Sequence, residues 1–309
     1  MISVLRFSMI QIKERKNYFK IKKGESSQGQ SGDNKDTTWT FEMAKHWREQ
    51  KPPVRPSSES IRIIEQLLDS IIARKGSEIK VLILGATPEY RDLIIARNIR
   101  PTIVDYSDIN YSALGLLMNH GDPQSHESFI QQNWITMKLS GRFDFIMADH
   151  SINVVSNKSV PDLLQNVSNC MKSDAIFVAR TWIRPRNRQP NILEVIENYR
   201  KNVQKTGKPL YPTCVGPIQN FFYDKKKNRI LLSDLGTELK KLYQAGVIND
   251  IEWEPIIPLH YDEVSLSLFI PTESELEKMV NVHLKTKNVY YTKETYNECC
   301  PIYVFEKNH

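Results

Sequence analysis

The chain has 309 residues, of which 40% are hydrophobic and 25% are charged. This is the composition of an ordinary globular protein, and the length allows one large domain or two small ones. The net charge of +6 is spread along the chain, so it permits a nucleic-acid partner without indicating one. Because the sequence has no apolar run that could span a membrane and no signal-peptide core, we expect a cytoplasmic protein.

The four cysteines do not form a metal or disulfide pattern. None belongs to a CxxC pair, and no His/Cys cluster has the spacing of a zinc site, so we predict no metal. The neighbouring Cys299 and Cys300 are either two ordinary thiols or a redox pair. The sequence leaves both interpretations open.

Residues 1–36 differ from the rest of the chain. They combine the basic stretch "IKERKNYFKIKKG" with the polar stretch "ESSQGQSGDNKDTT", which cannot bury enough apolar surface to offset the entropy of ordering. We therefore predict a flexible tail at 1–36 and a single domain over 37–309. The basic run is either a solvated segment or a contact for RNA or an anionic surface.

The first part of the domain, residues 37–78, is predicted to be helical. A short helix ends at "KPPVRP", because proline lacks a backbone donor and has a fixed φ. Ser57 or Ser58 can then cap a second helix. One face of that helix is apolar, with Ile61, Ile64, Leu68, Ile71 and Ile72.

Residues 79–182 alternate between apolar strands and helices. The strands are "IKVLILG", "PTIVDYS", "FIQQNW", "FDFIMADH" and "AIFVART", and continuous apolar runs are typical of parallel strands covered on both faces. This pattern predicts a doubly wound α/β sheet. Residues 183–279 are predicted to be an insert that contributes to substrate binding or has its own small core. Residues 280–309 are predicted to close the sheet with an antiparallel strand pair.

The turn after the first strand, "LGATPEYRDL", keeps only one glycine of a nucleotide-binding loop. Gly85 allows a sharp turn, Thr87 is a suitable N-cap, and Pro88 suits the first helical position. A helix N-terminus at this place usually favours phosphate, but the charge of Glu89 would repel it. S-adenosylmethionine carries an ammonium, a sulfonium and no phosphate, so it fits this turn better.

Asp105 lies twenty positions after Gly85, at the end of the second strand. A carboxylate there can accept hydrogen bonds from both hydroxyls of a ribose. An acidic N-cap of the next helix is the alternative.

The segment from Trp39 to about Trp182 resembles class I, seven-β-strand S-adenosylmethionine-dependent methyltransferases. "VLILGATPEYRDL", "PTIVDYS", "NWITM" and "FDFIMADHSINVV" are similar to that family's successive motifs, and "GATPEYRDL" is similar to one subgroup. The resemblance implies a mostly parallel seven-stranded sheet. It also implies cofactor contacts from Gly85, Ala86 and Thr87 (methionine part), Glu89 (ammonium), Asp105 (ribose), Tyr106 and Ser107 (adenosine), and Asn133 and Trp134 (adenine).

Asp149 and His150 end the fourth predicted strand, where the family places the acceptor or the transferred methyl group. We therefore expect them to be the catalytic residues. His150 is either a general base or a hydrogen-bonded wall residue, because methyl transfer often needs only proximity and alignment.

The leading hypothesis is a methyltransferase that acts on a small molecule. The alternatives are a binding protein that has lost catalysis, a nicotinamide-dependent oxidoreductase and an RNA methyltransferase. The missing glycines and Glu89 argue against the oxidoreductase. The sequence contains no recognisable RNA-binding module, so nucleic acid is not an expected partner.

Overall fold

The computed structural model describes residues 47, 52–120, 126–184, 193, 194, 196, 197, 200, 201, 223–254, 266–293 and 299–308. Within these, the helices are α1 Ser58–Lys75, α2 Pro88–Ile95, α3 Asp108–Gly115, α4 Val160–Cys170, α5 Leu232–Gln244, α6 Asp250–Trp253 and α7 Glu273–Val280. The strands are β1 Val81–Leu84, β2 Thr102–Asp105, β3 Ser128–Gln131, β4 Phe143–Asp149, β5 Met171–Arg180, β6 Ile230–Leu231, β7 Ser267–Leu268, β8 Leu284–Tyr290 and β9 Ile302–Lys307.

Seven of these strands form one sheet in the order β3-β2-β1-β4-β5-β9-β8. The first five strands are parallel, and β9 lies antiparallel between β5 and β8. The predicted α/β class, the mostly parallel seven-stranded sheet and the closing strand pair are therefore confirmed. In the part of the insert that the structure describes, β6 and β7 form a separate antiparallel pair.

The sheet is covered on both faces, as its apolar strands predict. All four residues of β1 are buried, and they alternate between two clusters. Val81 and Ile83 belong to the cluster packed under α1 and α2, whereas Leu82 and Leu84 belong to the cluster under α4 and α7. Side chains on a strand point to opposite faces in turn, so β1 contributes to both cores.

The predicted caps of two helices are confirmed. Ser57 is the N-cap of α1, and its side chain accepts a hydrogen bond from the Ser60 amide at 2.9 Å. In "PTESELEKMV" the spacing of Thr272 and Glu275 predicts a capping box, and these two residues form one at the start of α7. Because each cap satisfies backbone donors that a helix leaves unpaired, a local sequence pattern was enough to place both helix starts.

Three predicted strand bounds are wrong. β3 ends at Gln131, so Asn133 and Trp134 lie in the turn that follows it. β5 begins at Met171, earlier than the apolar run suggests. Within the insert, the apolar stretch "VSLSLFI" also predicts a strand, but the structure has only Ser267–Leu268 paired there.

A third core joins the described part of the insert to the rest of the domain. Trp182 and Cys300 are buried in one cluster with the insert residues Tyr223, Leu235 and Leu239, so this core is shared between the two parts. The predicted tail at 1–36 and most of the predicted helix around Trp47 lie outside the described residues. No helix in the part of the chain that the structure describes is long and apolar enough to cross a bilayer.

Candidate functional site

A glycine turn and three charged residues meet at one edge of the sheet. Gly85 follows β1, and Asp105, Asp149 and Arg180 are the last residues of β2, β4 and β5. The register places Leu84 beside both Val104 and Ala148, and it places Asp149 beside Arg180. The carboxyl ends of parallel strands form the ligand-binding crevice of an open α/β sheet, so these residues surround the candidate site.

The turn at Gly85 is built around a glycine conformation. Gly85 has φ +94°, which side-chain-bearing residues rarely adopt. Its amide donates to the Val104 carbonyl at 2.9 Å, and the Trp134 indole Nε1 donates to the same carbonyl at 2.8 Å. A Cβ at Gly85 would lie 3.7 Å from Trp134 Cζ2, so the backbone angle, rather than space, requires glycine here.

The residues after Gly85 start α2 as the sequence predicts. Thr87 is the N-cap and Pro88 the first helical residue, although the Thr87 side chain makes no capping hydrogen bond. Ala86 and Thr87 are both buried. The helix N-terminus therefore lies beside the crevice, where its free backbone amides favour a polar ligand.

Asp105 is buried with only 4% of its surface exposed. Its Oδ1 accepts hydrogen bonds from the Ser107 amide at 3.0 Å and from Asn110 Nδ2 at 3.4 Å. Burial raises the pKa of Asp105 to about 6, although these hydrogen bonds lower it. The carboxylate is therefore ionised at neutral pH and held in one orientation.

The residues predicted to border the adenosine differ in their exposure to solvent. Ser107 is buried and caps α3 by accepting from the Asn110 amide. Tyr106 is 46% exposed, so its ring lies at the surface of the predicted adenosine region. In the turn after β3, the Asn133 side-chain oxygen accepts from the Ile135 amide at 3.1 Å, and this bond fixes the turn.

Glu89 is paired with residues from the segment before α1. Arg55 Nη2 lies 2.5 Å from Glu89 Oε1, and Trp47 Nε1 donates to the two carboxylate oxygens at 3.1 and 3.2 Å. Burial raises the pKa of Glu89, while the Arg55 guanidinium lowers it. The turn therefore presents a neutral ion pair rather than the single negative charge that the sequence predicts.

Asp149 forms a buried ion pair with Arg180, whose Nη1 lies 3.0 Å from Asp149 Oδ1. Burial raises the pKa of Asp149 to about 6, against the lowering effect of Arg180. Arg180 Nη2 also donates to the Pro53 carbonyl at 2.5 Å. Asp149 is therefore ionised at neutral pH, and Arg180 connects it to the segment before α1.

His150 follows Asp149 with a strained backbone. Its φ is +56°, which is uncommon for a residue with a side chain. The ring stacks on Trp182 at 5.2 Å between centroids, and Nε2 lies 3.4 Å from the Pro53 carbonyl. Burial lowers the pKa of His150 well below its usual value, and the Arg180 charge lowers it further, so the ring is neutral and is a weak base.

Two buried hydroxyls belong to Tyr90 on α2 and to Thr181, the residue that follows β5. Tyr90 Oη and Thr181 Oγ1 have no hydrogen-bond partner among the described residues. Tyr90 is close enough to Asp149 and Arg180 for both charges to affect its pKa, which burial raises well above the usual value. Buried hydroxyls are normally paired, so these two are suited to a water or to a ligand group.

Arg55, Tyr90 and Arg180 are site residues that the sequence patterns do not predict. The signal for Arg180 is a charged residue at the end of a buried strand, at the same sheet edge as Asp149. Arg55 and Tyr90 carry no comparable signal, because their contacts depend on how distant segments pack. Among the described residues, no group of three or more histidine, cysteine or acidic side chains could hold a metal ion.

Comparison with known proteins identifies the fold. No protein-family model matches the chain, and no curated protein matches its sequence. The structure is similar to a putative Zn-dependent alcohol dehydrogenase from Rhodobacter sphaeroides, with TM-score 0.55 and 13% identity over 88% of this chain and 100% of that one. It is also similar to the CcbJ methyltransferase from Streptomyces caelestis, with TM-score 0.53 and 12% identity over 87% of this chain and 99% of that one.

A more distant neighbour is the N-methyltransferase NodS from Bradyrhizobium japonicum, solved with S-adenosylhomocysteine. Its TM-score is 0.44, with 10% identity over 85% of this chain and 92% of that one. Identities this low establish the fold alone. That fold, with β9 antiparallel inside an otherwise parallel sheet, matches the Rossmann-like methyltransferases.

Proposed function

We propose that this protein is an S-adenosylmethionine-dependent methyltransferase that acts on a small molecule. One observation carries the proposal. Two adjacent parallel strands carry cofactor-type features at their carboxyl ends: β1 is followed by the positive-φ turn at Gly85, and β2 ends with the buried, ionised carboxylate of Asp105. The same sheet is completed by an antiparallel strand. The classical dinucleotide-binding sheet has the order 3-2-1-4-5-6 and lacks that inserted strand.

The residues present are compatible with the cofactor. The backbone at Gly85 permits close approach of a ligand, and the Trp134 indole beside it supplies an apolar wall. The Asp105 carboxylate can accept hydrogen bonds from the ribose hydroxyls. The carboxylate of Glu89, which is paired with Arg55, can accept a hydrogen bond from the cofactor's ammonium.

When bound, S-adenosylmethionine supplies an electrophilic methyl group on sulfur. The chain has to orient an acceptor toward it and to receive the acceptor's proton where one is lost. Asp149, held by Arg180 at 3.0 Å, is the carboxylate that we assign to receive that proton. His150, whose pKa burial lowers, is assigned as a neutral wall residue of the crevice. The buried hydroxyl of Tyr90, which has no hydrogen-bond partner among the described residues, favours an acceptor that carries a polar group.

The direct test is binding followed by turnover. S-adenosylhomocysteine should raise the melting temperature of the full chain, whereas NAD should not. A purified sample incubated with methyl-labelled S-adenosylmethionine and a small-molecule extract should transfer label, and the His150→Ala variant should transfer less. Stabilisation by NAD but not by S-adenosylhomocysteine would favour the oxidoreductase. Cofactor binding without labelled product from any acceptor fraction would favour a binding protein.

A further inference from the structure

The segment before α1 reaches the candidate cofactor turn through Arg55. The Arg55 guanidinium lies 2.5 Å from Glu89, which stands in the first turn of α2. The backbone around Arg55 is fixed on both sides. The Pro53 carbonyl accepts from Arg180 at 2.5 Å, and Ser57 caps α1 through the Ser60 amide. The backbone of Arg55 is therefore held beside the turn by contacts that do not depend on Glu89, and its guanidinium also donates to the Trp47 carbonyl at 3.5 Å.

The pair formed by Arg55 and Glu89 has the charges of an amino-acid zwitterion. It places one carboxylate and one guanidinium side by side, with side chains that are 15% and 26% exposed. The ammonium of an α-amino acid is complementary to the carboxylate. The α-carboxylate is complementary to guanidinium, whose planar fork binds carboxylates with two parallel hydrogen bonds.

We propose that Arg55 binds the α-carboxylate of the cofactor's methionine part, while Glu89 binds its ammonium. This inference rests on the proposed function and deepens it, because it assigns a residue from outside the sheet to cofactor recognition. The Trp47 indole holds both oxygens of Glu89, so the acidic half of the site is oriented before a ligand arrives. A preorganised pair loses less entropy on binding than two independent side chains.

The pairing of Glu89 with Arg55 also determines which ligand charges the turn prefers. Glu89 alone would make the site acidic and would attract any cation. With Arg55 the pair is neutral, so a singly charged ligand gains one attraction and meets one repulsion. A zwitterion gains both attractions, which makes the amino-acid end of the cofactor the preferred occupant.

The test compares three ligands that differ by one group. They are S-adenosylhomocysteine, its decarboxylated analogue, which keeps the amine, and its deaminated analogue, which keeps the carboxylate. Calorimetry should show that Arg55→Gln weakens S-adenosylhomocysteine by about 10- to 100-fold, the range of losing hydrogen bonds between charged groups. Binding of the decarboxylated analogue should stay within about threefold or improve, because Glu89 loses a competing partner.

Two variants make the comparison specific. Glu89→Gln should weaken S-adenosylhomocysteine and spare the deaminated analogue. Arg62→Gln is the matched control, because Arg62 lies on α1 with its side chain 57% exposed and pairs only weakly with Glu59 at 3.8 Å. It should leave all three affinities unchanged. If Arg55→Gln does not fold, Arg55→Lys keeps the charge opposite Glu89 and should still weaken S-adenosylhomocysteine more than the decarboxylated analogue.

Two results would overturn the inference, and they are distinguishable. Equal loss of S-adenosylhomocysteine and of the decarboxylated analogue would show that Arg55 only attaches the segment before α1 to α2. Failure of the unmodified chain to bind S-adenosylhomocysteine would overturn the proposed function together with the inference. A loss confined to ligands with the carboxylate supports both.

Discussion

Replacing Asp105 with asparagine should stabilise the empty protein and weaken its cofactor binding. Asparagine has nearly the same shape, and its Oδ1 can still accept from the Ser107 amide, as Asp105 does at 3.0 Å. What changes is the charge, which is buried with 4% of the residue exposed. The substitution therefore separates the effect of the buried charge on folding stability from its effect on cofactor affinity.

The magnitude for the empty protein follows from the pKa. Burial raises the pKa of Asp105 from 3.8 to about 6, so the folded state holds this proton more tightly than the unfolded state does. Stability falls as pH rises from about 4 to about 6, and the loss persists at higher pH. Two pKa units correspond to about 3 kcal/mol. Asp105→Asn should recover about 1–3 kcal/mol at pH 7.5 and nothing at pH 4.

Ligand affinity should change in the opposite direction. Loss of the carboxylate removes hydrogen bonds to the ribose, which should cost about 1–3 kcal/mol of binding free energy. In the unmodified chain, S-adenosylhomocysteine should bind about tenfold more weakly at pH 5 than at pH 7.5, because Asp105 must first lose its proton. The Asp105→Asn variant should lose that dependence, except for any part due to Asp149, which titrates at a similar pH.

Urea unfolding and calorimetry at pH 4, 5, 6 and 7.5 would test both effects. Asp108→Asn is the control, because Asp108 lies in the same segment, in the first turn of α3, and is exposed. It should change stability by less than about 1 kcal/mol through the helix dipole and leave ligand binding intact. A destabilised Asp105→Asn variant with unchanged ligand affinity would refute the reasoning, because Asp105 would then be only a cap for the turn.

Three other substitutions test the structure around the site. Gly85→Ala should lower the free energy of unfolding by about 1–2 kcal/mol because of its positive φ, and it should abolish S-adenosylhomocysteine binding. The control is Gly76→Ala, at a position with φ +85° and open space around it, which should lose similar stability in urea unfolding and keep binding. Glu127→Gln leaves the buried Arg91 charge without its partner and should cost about 3–5 kcal/mol, whereas replacing both residues with apolar ones should recover most of that loss. Asn153→Ala removes hydrogen bonds of 2.8–2.9 Å to Trp182 and Phe269 and should cost about 2–4 kcal/mol; a smaller loss in urea unfolding would mean that water replaces the amide.

The sequence predicted the parts of the site that depend on local patterns. β1, the turn at Gly85 and Asp105 at the end of β2 lie within one short stretch, where apolar runs and a single glycine determine the backbone. Asp149 and His150 follow from a fourth apolar run of the same kind. These elements therefore have the places that the sequence indicates.

The ion pairs of the site could not be predicted in the same way. Arg55 meets Glu89, and Arg180 meets Asp149, only because the sheet brings distant segments together. The sequence does not show which residue will pair with a given charge, so Glu89 was predicted to act as a single negative charge. The third strand was predicted to be too long for a related reason. The apolar Trp134 was predicted to be part of the strand, but in the structure its ring packs over Gly85 after β3 has ended.

The position of β9 has a consequence for how this protein is made. Its hydrogen-bond partners are β5 on one side and β8 on the other, yet β9 follows both in the chain. During synthesis, β5 presents an open edge and β8 has no sheet to join until residues 302–307 have left the ribosome. Open strand edges promote aggregation, so we expect chains that stop before β9 to lose two strands from the sheet and to depend on chaperones.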